Sequence, residues 1–388
     1  FPVSEVVAYG WGNGAAKLAA RPSGAEFLPG GKAPRPGQVV RLETLGRTLQ
    51  AIAEGGPPAF YTGEIARRIA GFVQAEGGWL TERDLADHHS DWDEPISADY
   101  RGVTVWECPP NGQGIAALIA LNVAEGFDVA GMGAQSADAY HHLVESMRLA
   151  YADALQYVAD PRVAEVPIGP LLSKGYAARR RLLISAARAM PSAAFGTPVA
   201  GDDTVYVTAA DGEGNACSLI NSLFQGFGTG LVVPGTGIAL QNRGALFSLD
   251  RSHPNYLQPR KRPYQTIIPA MATRGGELWL SFGVMGGFQQ PQGHLQVISN
   301  MVDHGLGPQE ALDALRFSVD LDTGVIKLEA GIAAETVGEL ERRGHRTDIV
   351  DGYARGLFGG GQVIARDPAT GVLTAGSEPR KDGAAVGW

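Results

Sequence analysis

The sequence predicts a mixed fold of helices and strands, of the α+β kind. Three observations predict it. Ala137–Val158 reads as one long helix opened by Ser136, a residue type that caps helix starts. Runs of β-branched and aromatic residues, such as Thr204–Thr208 and Ala216–Leu223, read as strands. The 53 glycines and 24 prolines are spread among these periodic segments, so they supply tight turns rather than a disordered tract.

With 388 residues, 44% of them hydrophobic, the chain can bury a large core, as two or three domains or one layered unit. No window approaches 18 uninterrupted apolar residues, so no helical membrane span is expected. A net charge of −9 argues against nucleic acid or an anionic membrane as partner, since both require a positive surface. Cys108 and Cys217 fit no disulfide framework and no zinc spacing, and both are expected as buried, inert thiols. The eight histidines are scattered and no carboxylate cluster accompanies them, so neither a metal nor another cofactor is expected. The first residue is Phe1 rather than Met, which reads as a processed chain or a fragment with any targeting signal out of view.

In chain order, residues 1–50 mix Gly, Pro and Ala with little period, and 25–37 read as an extended surface loop. Leu42–Ala53 and Thr62–Ala75 have helical spacing, and Thr81 caps a short helix. Val103–Cys108 alternates as a strand. Pro109–Gly114 then opens an Ala/Ile/Leu-rich helix, either as an anion-binding helix start or as a structural turn. His141 and His142 are adjacent on the long helix and cannot share one face as ligands, so they read as ordinary surface or core-edge residues. Leu171–Ser185 is helical, with Arg179–Arg181 on a solvated face, and Ala186–Gly201 reads as an exposed linker where a chain is cut.

After that linker comes a hairpin, reversed by the cluster Asp211–Asn215. If Ala210 faces Ala216, the register carries Thr204 opposite Ser222, which brings two hydroxyls together. A short strand follows around Ile238–Gln241. Ile267–Ala272 and Leu278–Phe282 read as buried strands leading to Gly286 and Gly287 and a helix from about Gln292 to Val302. Backbone amides at a Gly-Gly turn before a helix can aim at a developing oxyanion. Pro308–Leu315 and Glu335–Arg343 are further helices, and Gln362–Ala365 with Val372–Ala375 form a last hairpin.

With Thr204, Phe227-Gly228-Thr229-Gly230, Gly286-Gly287 and Pro379-Arg380-Lys381-Asp382-Gly383 in this order, the chain resembles the gamma-glutamyltranspeptidase family. Asp203-Thr204-Val205-Tyr206, Leu240–Asp250 and Gly283-Val284-Met285-Gly286-Gly287 are similar to its bacterial branch of oxamate amidohydrolase-like and acylase-like enzymes. The resemblance, from Phe1 to Trp388, implies an N-terminal nucleophile (Ntn) hydrolase. Its fold would be a four-layer αββα sandwich, two antiparallel sheets between helical layers. The precursor would cut itself between Asp203 and Thr204. Residues 1–203 would form the C-terminal part of a large-subunit segment and 204–388 the small-subunit segment, together one intertwined domain. The family carries a further segment ahead of the position of Phe1, with core strands and a carboxylate-gripping arginine, and this chain lacks it.

By the same resemblance Thr204 would be the nucleophile, Ser222 its hydrogen-bond partner, and Gly286 and Gly287 the oxyanion hole. The family's substrate-binding positions fall on Arg243, Phe224, Leu246, Gln265 and Thr266. A leucine at 246, where the family has an acidic residue for the substrate ammonium, argues against glutathione-like substrates. Arg243 would suit a carboxylate-bearing acyl group, or is a structural arginine. The reading is therefore an autoprocessing threonine amidohydrolase acting on a small acyl amide that bears a carboxylate. True gamma-glutamyl transfer and a non-catalytic module are the alternatives. The partners expected are the fragments of one precursor, with a homodimer left open. The branch implies a cytoplasmic location, with periplasmic or secreted placement also open.

Overall fold

The computed structural model describes residues 1–191 and 203–388, so residues 192–201 of the expected linker lie outside the described residues. Its helices are α1 (Glu5–Ala19), α2 (Glu43–Tyr61), α3 (Glu64–Ala75), α4 (Glu82–Ala86), α5 (Gly114–Ala124) and α6 (Val129–Met132). They continue with α7 (Ala137–Tyr157), α8 (Ile168–Leu172), α9 (Lys174–Arg181), α10 (Gln289–Val302), α11 (Pro308–Asp313) and α12 (Ala334–Arg342). The strands are β1 (Ile96–Tyr100), β2 (Val103–Glu107), β3 (Asp203–Ala210), β4 (Ala216–Phe224), β5 (Val232–Val233), β6 (Ile238–Ala239) and β7 (Ala270–Arg274). The last are β8 (Glu277–Met285), β9 (Phe317–Val319), β10 (Ile326–Glu329), β11 (Thr347–Val350), β12 (Gly360–Arg366) and β13 (Leu373–Ser377). None of the described helices is long and apolar enough to cross a membrane.

The chain packs as two units, Phe1–Trp92 with Leu223–Asn242, and Asp93–Ser222 with Arg243–Trp388. The larger is built on a six-stranded sheet in the order β1-β2-β7-β8-β12-β13, antiparallel throughout. Alternation along β8 explains its layers, because successive side chains point to opposite faces. Leu280, Phe282 and Val284 join the main core, which includes α5, α7 and α10. Ser281 and Gly283 face the other way, onto the β3–β4 hairpin. α5 is apolar all round and buried at every residue, as befits a helix packed on all sides. Helices, sheet and hairpin thus form successive layers of an α+β sandwich of the Ntn-hydrolase type. A smaller sheet, β11-β10-β9, has a parallel β10–β11 pair.

In the smaller unit a helix stands near the chain start, where the residues show little period. α1 is a full helix, started by Ser4 Oγ, which accepts the Val7 amide at 3.1 Å. Its glycines hide it from a propensity reading, since glycine disfavours helices. Gly14 is needed for contact: a Cβ there would sit 2.4 Å from the Phe227 ring. Trp11 packs at a tilt against Phe27 and Phe227 in the same cluster and donates to the Phe27 carbonyl at 2.8 Å.

Three side-chain expectations change. Cys108 and Cys217 are exposed. Cys217 shares the outer face of the hairpin with Val205 and Leu219, which also lie open. Arg180 and Arg181 are not simply solvated. Arg180 pairs with Asp153 at 3.0 Å, and Arg181 caps the end of α5 through the carbonyls of Asn122 and Val123. His141 and His142 are buried rather than at the surface. His141 Nε2 lies 2.8 Å from the Ser185 carbonyl, so it donates, and its Nδ1 accepts from His345 Nε2 at 2.7 Å.

Burial pushes the two rings down, His141 to about 4 and His345 to about 3. Both stay neutral in the folded chain, while unfolding restores an ordinary value of about 6.5. Their contribution to stability is complete above that value and is lost as pH falls towards 4 and 3. Thermal melts between pH 7 and pH 5 are expected to show falling Tm, with a shallower slope in His345→Gln.

Candidate active site

The hairpin register is set at its turn. Asp211 donates its amide to the Asn215 carbonyl at 3.0 Å, and its carboxylate accepts the amides of Glu213 and Asn215. Counting back from that pair sets Thr204 opposite Ser222, and Thr204 Oγ1 donates to Ser222 Oγ at 3.1 Å. Thr204 is half-buried.

Two contacts fasten the hairpin against β8, and a third braces it within. Thr208 Oγ1 lies 2.6 Å from Ser281 Oγ. The Tyr206 ring covers Gly283, where a Cβ would fall 2.6 Å from it. Tyr206 OH meets Ser218 Oγ at 2.7 Å, and burial pushes the phenol up to about 12, so it remains protonated. From Thr208/Ser281 to Tyr206/Gly283 the two strands run in opposite directions, so the start of β3 lies towards the end of β8 that leads into Gly286 and Gly287.

Gly286 and Gly287 have φ of +132° and +53°, backbone that side chains disfavour. The Gly286 carbonyl accepts the Gln289 amide, and that of Gly287 accepts the Gln290 amide and Gln113 Nε2 at 2.8 Å. Gln113 Nε2 also reaches the Thr266 carbonyl at 2.7 Å, so one fully buried amide ties the two stretches together. Sequence reasoning noted the glycines around Gln113 but not the glutamine. Tyr151 OH donates to the Phe288 carbonyl beside the turn. The turn runs into α10, whose N-terminal amides and dipole favour negative charge.

Arg243 is buried, with Nε and Nη2 3.4 and 3.3 Å from Thr266 Oγ1 and Nη1 3.4 Å from the Ser222 carbonyl. Burial pushes its guanidinium down to about 10, which leaves it charged at neutral pH. Gln265 Oε1 accepts the Thr266 amide at 3.0 Å, and its own amide donates to the Asn111 carbonyl. Leu246 packs against the main core, and its carbonyl is held by Asn255 Nδ2 at 2.8 Å. Asn255 also went unremarked in the sequence. Phe224 belongs to the smaller unit, fully buried with φ of +79°. The structure thus brings Thr204, Ser222, Arg243 and Thr266 into one hydrogen-bonded string, with Gly287 joined to it through Gln113.

This arrangement belongs to a self-processing hydrolase class, and the comparisons name it. The family model described as gamma-glutamyltranspeptidase matches residues 1–388. A glutathione hydrolase-like YwrD proenzyme of Bacillus subtilis is 38% identical over 95% of this chain and 70% of its own length. The oxamate amidohydrolase proenzyme of Klebsiella pneumoniae is 32% identical over 93% of this chain and 68% of its own. An acylase ACY 1 proenzyme of a Pseudomonas species is 34% identical over 93% and 64%. The crystal structure of a cephalosporin acylase from Bacillus halodurans superposes with a TM-score of 0.92 at 45% identity, covering all of this chain and 72% of that one. The chain belongs to the gamma-glutamyltranspeptidase family and is an Ntn-type amidohydrolase. It spans about two thirds of the length of the curated relatives it matches.

Gly283→Ala is expected to force Tyr206 off β8, costing about 1–3 kcal/mol as an overpacked core does. A denaturant melt measures the loss, and a parent-like midpoint would deny the stack its importance.

Proposed function

We propose that the precursor cuts itself between Asp203 and Thr204 and that the product hydrolyses a small acyl amide bearing a carboxylate. The carrying observation is the Thr204–Ser222 hydroxyl pair at 3.1 Å, on a hairpin held to β8 through Thr208–Ser281 and Tyr206–Gly283. Cleavage divides the chain into segments 1–203 and 204–388. A threonine hydroxyl needs a base, and cleavage supplies one, because the new α-amino group has an ordinary pKa of about 7.7–8. In turnover Thr204 Oγ1 attacks the acyl carbon and its proton passes to that amine. The carbonyl electron pair moves onto oxygen, where the amides of Gly286 and Gly287 stabilise it. The C–N bond then breaks as the leaving amine takes the proton. Water repeats the sequence on the ester and frees the acid. Ser222 holds the attacking oxygen in line.

Arg243, braced by Thr266, is the cation that receives the substrate carboxylate, and Gln265 and Leu246 shape the acyl site. Gamma-glutamyl transfer is the weaker reading, because Leu246 lies against apolar core and cannot pair an ammonium.

In the full-length protein, the smaller fragment is expected to begin at Thr204, with Thr204→Ala staying intact and inactive. An intact Asp203–Thr204 bond in active parent protein, read by mass spectrometry, would count decisively against this mechanism. Arg243→Met is expected to cost a glutaryl-type anilide about 10- to 100-fold in kcat/KM, as loss of a charge-assisted pair does. A gamma-glutamyl anilide turned over faster than the glutaryl one would favour the other reading.

A further inference from the structure

The end of β8 is held by a buried polar pair that the reaction above does not use. β7 pairs with β8 only as far as Phe282, opposite Ala270. Two residues on, the Val284 amide donates to His294 Nε2 at 3.1 Å. The imidazole takes the place of the strand that has ended. His294 lies on α10 and is fully buried, as is Glu107 at the end of β2. Glu107 Oε1 is 2.6 Å from His294 Nδ1.

Because Nε2 receives an amide proton, the ring proton sits on Nδ1 and is donated to Glu107. The carboxylate thus selects the one neutral tautomer that can hold Val284. Burial pushes the Glu107 carboxyl above its ordinary range, with His294 acting against it. Its second oxygen, Oε2, has no hydrogen-bond partner among the described residues. Close approach is built in: a Cβ on Gly114 would fall 2.7 Å from Glu107 Cβ, and one on Gly293 would fall 2.5 Å from the Val284 side chain.

As a stability device this pair is poor, since burying polar and charged groups with incomplete partners costs more than apolar packing. What it does achieve is local. Val284 stands two residues before Gly286, and the carbonyl of Gly287 is fixed by Gln113. The turn is clamped on both sides by buried side chains.

We propose that Glu107 and His294 are positioning residues for catalysis, holding the end of β8 so that the Gly286–Gly287 amides meet the developing oxyanion; this rests on the acyl-transfer reading above. The pair touches no substrate. It acts only through the backbone of Val284, so its loss lowers kcat and leaves KM unchanged.

The test uses the processed full-length protein and a glutaryl anilide. His294→Phe removes the acceptor for Val284, and Glu107→Met removes the group that fixes the tautomer. Each is expected to lower kcat on the order of 10²-fold at constant KM, the size of effect a small misplacement produces. Glu107→Gln keeps an acceptor for Nδ1–H and restores most of kcat relative to Glu107→Met. Nitrogen-15 spectra of histidine-labelled parent protein at neutral pH are expected to show His294 protonated on Nδ1 alone. Parent-like kcat in His294→Phe or Glu107→Met, or a loss confined to KM, overturns the proposal, and so does a ring protonated on Nε2. Should His294→Phe fail to fold, the Glu107 variants and the spectra decide. Thr204→Ala separates the two readings: if it turns over substrate, the acyl-transfer mechanism is what fails.

Discussion

The contact on which the rest of the larger unit depends is that of the Tyr206 ring with Gly283. It removes the space a side chain would need on the middle of β8 and so lets the hairpin settle onto the sheet. Strand periodicity does the remainder, because a two-residue step carries that contact to Thr204 at one end and to Thr208 at the other. A one-residue slip would turn Thr204 to the outer face and carry Val205 inward. The face on which the Thr204 hydroxyl lies is thus coupled to an aromatic ring two residues away.

Around that contact the larger unit places its polar groups in the interior and satisfies them with backbone. Gln113, Asn255, Tyr151 and His294 each bond main-chain groups of a loop or strand end near the site. The tail uses the same device with charges. Arg380 bridges Glu329 and Glu378, and Arg316 joins Glu378 at 2.9 Å, all nearly without exposure. Burial alone would raise the Glu378 carboxyl, but Arg316 and Arg380 more than offset it. Arg380 of the Pro379–Gly383 motif is therefore an internal brace, also capping the carbonyls of Leu312 and Ala314.

Much of this was legible in the residues. The capped helices α4 and α7, the strands β2 and β8, the last hairpin and the Thr204–Ser222 register all follow from local pattern, because capping and pairing are short-range. α1 was not, because it carries three glycines, of which Gly14 serves a partner 213 residues away at Phe227. β9, β10 and β11 are three- and four-residue strands, too short to display a period. The buried state of His141 was hidden too, since its partner His345 arrives from a separate helix-to-strand turn.

The sequence by itself determined the local arrangement: a threonine after an acidic residue, a serine across the ladder and paired glycines before a helix, each readable from residue type and spacing, with their chemical roles implied by the family resemblance. Tertiary structure alone decided which groups hold these in place. Gln113, Glu107 and His294 lie far from Thr204 along the chain and have no spacing that relates them to it. Their roles come into being only when β2, α5 and α10 close around the end of β8, where buried backbone groups must find partners.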